Sequence, residues 1–202
     1  MKANPGGQLA PEEVIGRDEI IKVLWRVLQR QSLILSAERR MGKTCIIKKM
    51  QEAPPEDNLT VYRDLEGVRT PLEFVEVVLK DVEVFLSMSK KTAIKARKLF
   101  ARLAGAELGG VIKLPKEIGA HWKELLNSTI ADLMEQDPRQ VVFFWDELPL
   151  MLHNIRQRSD EMAAMEVLDT LRSLRQTHEG LRMVFTGSIG LHNVLSALKK
   201  AG

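Results

Sequence analysis

The stretch Ala37–Glu38–Arg39–Arg40–Met41–Gly42–Lys43–Thr44 constrains this chain more than any other part of it. Before it lies Ser32–Leu33–Ile34–Leu35–Ser36, an apolar run too brief for a helix, and after it Thr44 to Gln51 resumes a helical pattern. Strand, loop and helix in that order, with Gly42–Lys43–Thr44 at the helix start, match the Walker A form, Ala37 standing in place of the usual first glycine. Such a loop aims successive backbone N–H groups at phosphate oxygens and adds the positive end of the following helix. Lys43 is then expected to neutralise charge on the β- and γ-phosphates, and the Thr44 hydroxyl to ligate Mg²⁺. Gly42 suits a backbone that must approach phosphate closely or take a positive φ. The plainer alternative is a basic surface turn, which the strand–loop–helix context argues against.

Along the rest of the chain strands and helices alternate. The stretch 1–11, rich in Gly, Pro and Asn, reads as a flexible terminus, and residues 12–202 as the folded core. An apolar-periodic segment follows Asp18–Glu19 and ends near Arg30. Leu59 to Leu65 alternates as a second strand, and Thr70–Pro71 opens a helix carrying Phe74, Val75, Val78, Leu79 and Val82. A helix is expected within Ser87 to Ala106, another around His121 to Glu135, and a long one from Asp160 to His178 closed by Gly180. Val141 to Trp145 and Leu181 to Thr186 are the third and fourth strands, with a short helix from Leu191 to about Lys200. The alternation predicts an α/β protein with a mostly parallel sheet, helices on both faces and its ligand site beyond the carboxyl ends of the strands, which with the Walker A match at residues 37–44 reads as a three-layer P-loop NTPase sandwich.

Two further strand ends carry chemistry. Val141–Val142–Phe143–Phe144–Trp145 stops abruptly at Asp146–Glu147, as a Walker B strand does. Asp146 is placed to hold Mg²⁺ through its water shell, and Glu147 to polarise the water that attacks the γ-phosphate. The fourth strand ends in Thr186–Gly187–Ser188–Ile189–Gly190, resembling a sensor-1 position. Thr186 and Ser188 are both candidates to meet the γ-phosphate or the attacking water, and a plain Gly-rich turn with Ser188 as a helix cap stands beside that reading.

Taken together these motifs resemble the archaeal-type ATPases of the STAND branch and their bacterial relatives, cousins of the AAA+ enzymes. The resemblance spans roughly residues 14 to 195. It rests on Val14–Ile15–Gly16–Arg17–Asp18–Glu19 before the first helix, on Arg39–Arg40–Met41–Gly42–Lys43–Thr44, on Asp146–Glu147–Leu148–Pro149, and on Leu181 to Leu191. The second strand, Val61 to Gly67, is also similar, without an assigned chemical role. The resemblance implies that Gly16 and Arg17 lie close to the adenine base, that ATP is the nucleotide and that hydrolysis drives a switch. The family continues past this point with another strand, a helical lid bearing a sensor-2 arginine and often a winged-helix domain, whereas the sequence stops at Gly202. The expectation is therefore a fragment of a longer protein or a reduced relative.

The candidate set is then Lys43 and Glu147 as catalytic residues and Thr44 and Asp146 as metal-binding residues. Gly16, Arg17, Glu38, Arg39, Arg40, Met41, Gly42, Lys43, Thr44, Cys45, Thr186 and Ser188 form the nucleotide-binding set. Glu38 brings a negative charge near anionic phosphates, which weakens binding. Arg39 and Arg40 serve ATP, a neighbouring subunit or surface acids, and the choice stays open.

Other features yield bland readings. A net charge of +3 is too small to argue for nucleic acid by itself. Lys91, Lys95, Lys98 and Arg102 do form a basic helical stripe, which fits either a solvated face or an acidic partner such as nucleic acid. The histidines are scattered without metal-ligand spacing, and the lone Cys45 suits a small buried thiol. No apolar run suits a membrane span, and no signal-peptide layout opens the chain, so a cytoplasmic location is expected. Beside the ATPase switch stands a second class, a catalytically weak nucleotide-binding or interaction module, with a homo-oligomer or a protein partner as the receiver. A nucleotide kinase fits less well, because an acid beside Asp146 suits activation of water.

Overall fold

The third strand is the most buried element: in Gln140–Asp146 every residue after the first is shielded from solvent. A continuous apolar run of this kind belongs in the interior of a parallel sheet, where both faces are covered. The computed structural model, which describes residues 14–38, 40–86 and 120–187, shows that arrangement. The strands are β1 (Leu33–Leu35), β2 (Asn58–Asp64), β3 (Gln140–Asp146) and β4 (Leu181–Thr186). They form a parallel four-stranded sheet in the order β1-β4-β3-β2. The fourth strand thus lies between the first and the third, and β1 pairs with β4 in the register Leu33 with Val184, Ile34 with Phe185 and Leu35 with Thr186. The architecture is the α/β one that the alternation of strands and helices predicts, built on a parallel sheet.

The described residues fall into two compact units. The first comprises those of Met1–Glu66, Val141–Leu150 and Arg182–Gly202, and holds the sheet with helices α1 (Asp18–Leu28) and α2 (Lys43–Glu52). Leu24 and Leu28 of α1 and Ile46, Ile47 and Met50 of α2 pack with Val142, Phe144 and Val184. Trp25 meets Phe144 edge to face at 6.1 Å, a geometry worth about 0.5–1.5 kcal/mol beyond its area. Because side chains alternate along a strand, Phe143 and Trp145 project to the opposite face, where their rings lie 5.1 Å apart and Trp145 stacks on Phe185 at 5.9 Å. The guanidinium of Arg182 donates to the carbonyls of Leu28 at 2.7 Å and Gln29 at 3.0 Å. These are orphan acceptors at the end of α1, so β4 is fastened to that helix by groups a helix end cannot satisfy itself.

The second unit, Gly67–Gln140 and Met151–Leu181, is helical. Helices α3 (Pro71–Leu86), α4 (Trp122–Gln136) and α6 (Glu161–Thr177) pack on one another. Thr70 caps α3 by accepting from the Glu73 N–H at 3.1 Å, while the Glu73 carboxylate reaches back to the Arg69 N–H at 2.7 Å. Asp160 caps α6 through the Ala163 N–H at 2.7 Å, and Lys123 and Glu166 bridge α4 to α6 at 2.8 Å.

One helix was not expected: α5 runs Leu148–Arg158, a stretch to which the sequence pattern assigns no element. Its proline lies in the first turn, where no intrahelical N–H is needed. Leu148, Met151, Leu152 and Ile155 are fully buried, a helical spacing that begins at the proline's own neighbour. Residues 1–11, expected as a flexible terminus, Arg39, Ser188, the expected basic stripe from Lys91 to Arg102 and the expected helix at 191–200 lie outside the described residues. Among the described residues no helix is long and apolar enough to cross a membrane.

Candidate functional site

The phosphate loop closes on itself before it meets anything else. Gly42 takes φ 79°, a left-handed conformation that an L side chain rarely adopts, and becomes the residue from which α2 starts. A Cβ built at Gly42 would meet nothing within 4 Å, so within the protein it is the backbone angle and not crowding that favours glycine. Arg40 shares the left-handed region at φ 64°. The Lys43 ammonium donates to the carbonyls of Ala37 at 2.7 Å and Glu38 at 2.9 Å, lacing the loop across its own mouth. The side chains of Glu38, Arg40 and Met41 are exposed, while Cys45 is half-buried and free.

From the second residue of α2 the site reaches across the sheet. The Thr44 hydroxyl donates to Oδ2 of Asp146 at 2.6 Å, joining residues 102 positions apart. Asp146 is only 3% exposed, and a carboxylate buried this deeply needs its lone pairs occupied. Among the described residues four donors attend it. Oδ2 receives Thr44 and, at 3.5 Å, the phenol of Tyr62 on β2. Oδ1 receives the Glu147 N–H at 3.1 Å and the hydroxyl of Thr186, itself buried at the end of β4. The Asp146 carbonyl accepts the Leu65 N–H at 3.0 Å, which fixes the end of β3 beside β2.

Glu147 follows in a left-handed conformation, φ 56°, and is half-buried. The chain thus turns sharply after the strand, separating the paths of two adjacent carboxylates. Tyr62 is half-buried in its turn: its ring packs against the cluster of α1, α2 and β3, and the Lys48 ammonium lies 5.4 Å from the ring centroid. Burial first, and then the charges of Asp146 and Asp64, push its phenol well above the ordinary tyrosine range. A phenol so raised keeps its proton, and its capacity to donate, through the neutral range.

Gly16 and Arg17 are exposed just before α1, with Gly16 at φ 74°. The residues on either side of them are tied to α2 through Lys49, whose ammonium donates to the Val14 carbonyl at 2.8 Å and to Asp18 at 2.9 Å. Sequence reasoning passed over Tyr62 and Lys49. A tyrosine in an alternating strand reads as core, and a lysine one turn beyond the phosphate loop reads as surface. The signal that points to Tyr62 is a polar tip on a core-facing position, which must find a partner.

The donor set suits a hard divalent cation bound with phosphates, since a hydroxyl and a carboxylate oxygen stand side by side at the start of α2. Among the described residues no cluster of three His, Cys, Asp or Glu side chains forms a metal cage. Magnesium characteristically needs no such cage, being held by one or two protein oxygens, water and substrate phosphates.

Comparison with known proteins agrees with the geometry. A family model described as AAA domain matches residues 27–195. Among solved structures, the chain is similar to the ORC2 protein of Aeropyrum pernix, determined in ADPNP–ADP complexes, with a TM-score of 0.53 at 14% identity. That superposition covers 96% of this chain and 46% of the Aeropyrum protein, so the chain spans under half of its length. At this identity the likeness concerns the fold. No curated protein sequence matches the chain.

Proposed function

Because the chain belongs to the AAA domain family, we propose that its P-loop nucleotide-binding domain binds Mg–ATP and hydrolyses it, acting as a nucleotide-driven switch. The observation that carries this reading is the 2.6 Å bond from Thr44 to Asp146, which unites the phosphate loop and the β3 carboxylate in one corner. The STAND branch is our narrower placement, on the arginine pair before Met41–Gly42–Lys43–Thr44 and the Asp146–Glu147–Leu148–Pro149 sequence.

In this reading the N–H groups at the start of α2 and the Lys43 ammonium bind the β- and γ-phosphates. Lys43 exchanges two carbonyl partners for phosphate oxygens, a stronger charge-assisted pairing. Thr44 and Asp146 would hold Mg²⁺, which supplies charge stabilisation for the phosphates when bound. Since the Thr44 proton is already given to Asp146, the hydroxyl lone pairs remain for the cation. Glu147 takes a proton from water as its oxygen attacks the γ-phosphorus; the β–γ bridging P–O bond breaks and ADP leaves with the electron pair. Thr186, engaged with Asp146, couples the end of β4 to the same corner, a route by which the nucleotide state reaches the rest of the chain. Gly16 and Arg17 are the proposed base-side contacts, the receiver is a protein partner or a second copy of the chain, and the compartment is the cytoplasm.

Calorimetric titration of Mg–ATP and Mg–GTP into the chain and into Lys43→Ala tests the site. ATP binding that weakens roughly tenfold or more in Lys43→Ala is expected, from the loss of a charged hydrogen-bond donor. Glu147→Gln should then retain ATP and lose turnover. Binding without any turnover in the unmodified chain would replace the ATPase with a nucleotide-binding interaction module.

A further inference from the structure

Tyr62 shares its hydrogen-bond acceptor with the phosphate-loop threonine. Its hydroxyl and that of Thr44 both point at Oδ2 of Asp146, from β2 and α2 respectively. The ring has little freedom, being packed against the α1–α2–β3 cluster on one side and lying near the Lys48 ammonium. Lys48 is one turn beyond Thr44 on α2, so the helix that presents the threonine also carries the cation over the ring of Tyr62. At 3.5 Å the phenol contact is long for a bond to a carboxylate, while Thr44 at 2.6 Å is short. At that separation the phenol is a weak second donor to Oδ2, and its own lone pairs remain to accept a hydrogen.

We propose that Tyr62 is a positioning residue of the cation corner: its hydroxyl orients the Asp146 carboxylate and accepts a hydrogen bond from a water in the shell of a nucleotide-bound Mg²⁺. The inference rests on the reading of Thr44 and Asp146 as that corner. Magnesium keeps several waters and sheds them reluctantly, so oxygens that hold those waters contribute to its affinity.

The test is calorimetric titration of ADP, which is not turned over, in EDTA and across a Mg²⁺ series, with the unmodified chain and with Tyr62→Phe. Phenylalanine keeps the ring and removes only the hydroxyl. Expected is an ADP affinity in EDTA within about twofold of the unmodified chain, with the Mg²⁺ concentration for half-maximal enhancement raised about three- to tenfold, the worth of one hydrogen bond. A half-maximal Mg²⁺ concentration unchanged by Tyr62→Phe overturns the role of Tyr62 while leaving the corner intact. Absence of any Mg²⁺ enhancement in the unmodified chain overturns the corner itself. A second readout needs no variant: Tyr62 is the sole tyrosine, so 3-fluorotyrosine labelling gives a single fluorine resonance. It should move when Mg²⁺ joins bound ADP, beyond any change from ADP alone; a resonance indifferent to Mg²⁺ counts against the proposal.

Discussion

Glu147 carries a side chain at φ 56°, where L residues pay about 1 kcal/mol that glycine does not. In the proposed reaction this is the residue that takes the proton from water, so strain and function coincide at one position. The two contributions separate experimentally. Glu147→Ala and Glu147→Gly both remove the carboxylate, but only alanine retains the left-handed penalty, so the glycine variant should be the more stable by about 1 kcal/mol in urea denaturation. At an ordinary helical or extended position the order would reverse, and a reversed order would show that the turn relaxes. Thr186 offers the complementary case of a satisfied buried charge. Thr186→Val keeps the shape and removes one of the donors to a carboxylate that is 3% exposed. A loss of about 1–3 kcal/mol is expected, with Thr186→Ser recovering most of it, both read from urea midpoints. The glycine at position 42 was legible in the sequence because the motif demands it, whereas nothing in the letters of Asp146–Glu147 announces a left-handed glutamate. Its backbone is set by the turn from β3 into α5, and that helix was itself hidden behind Pro149.

The elements around the site differ in how openly they show themselves. All four strands were readable from apolar runs between turns, and α2 from its place after the loop, because those signals are local. The sheet order is not local: β4 enters between β1 and β3, and with it Thr186 meets an aspartate 40 positions earlier. Tyr62 stayed hidden for the same reason, its partner lying 84 positions away. The turn leading into β3 shows a local device at work. Asp137 accepts from Arg139 at its backbone N–H at 3.0 Å and its guanidinium at 2.8 and 2.6 Å. The side-chain bond from Arg139 holds the Asp137 carboxyl below its ordinary value of 3.8, against the opposing effect of burial. A depressed folded-state pKa contributes stability above the unfolded value and loses it as pH falls through the folded one. Asp137→Asn should therefore be slightly less stable than the unmodified chain near neutrality, by no more than about 1 kcal/mol for a pair whose arginine is exposed to solvent screening. The gap in urea midpoint should close as pH is lowered below 3.8. A gap independent of pH would assign the turn's stability to its neutral hydrogen bonds.

At the scale of the whole molecule, the described candidate residues belong to one of the two compact units, yet that unit is assembled from three separate stretches of chain. Thr44, Asp146 and Thr186 come one from each, so the site is complete only when distant segments have closed into the sheet, and the entropic cost of that closure falls on folding. A ligand that engages the start of α2 and the Asp146 corner together favours the assembled state by linkage. At a free concentration about a hundred times its Kd, the gain is about 2.7 kcal/mol. For a chain of 202 residues, at about 2–4 °C per kcal/mol, Mg–ADP should raise the melting temperature by roughly 5–10 °C. Lys43→Ala, with its roughly tenfold or weaker binding, should lose about half of that shift or more at the same ligand concentration. Hydrogen exchange would locate the gain, with slowing expected in α2 and at the ends of β3 and β4, whose backbone groups carry the site. A shift of equal size in Lys43→Ala would mean that the nucleotide stabilises the protein from somewhere other than the phosphate loop, and the corner built on Thr44 and Asp146 would then need another ligand to explain its four donors.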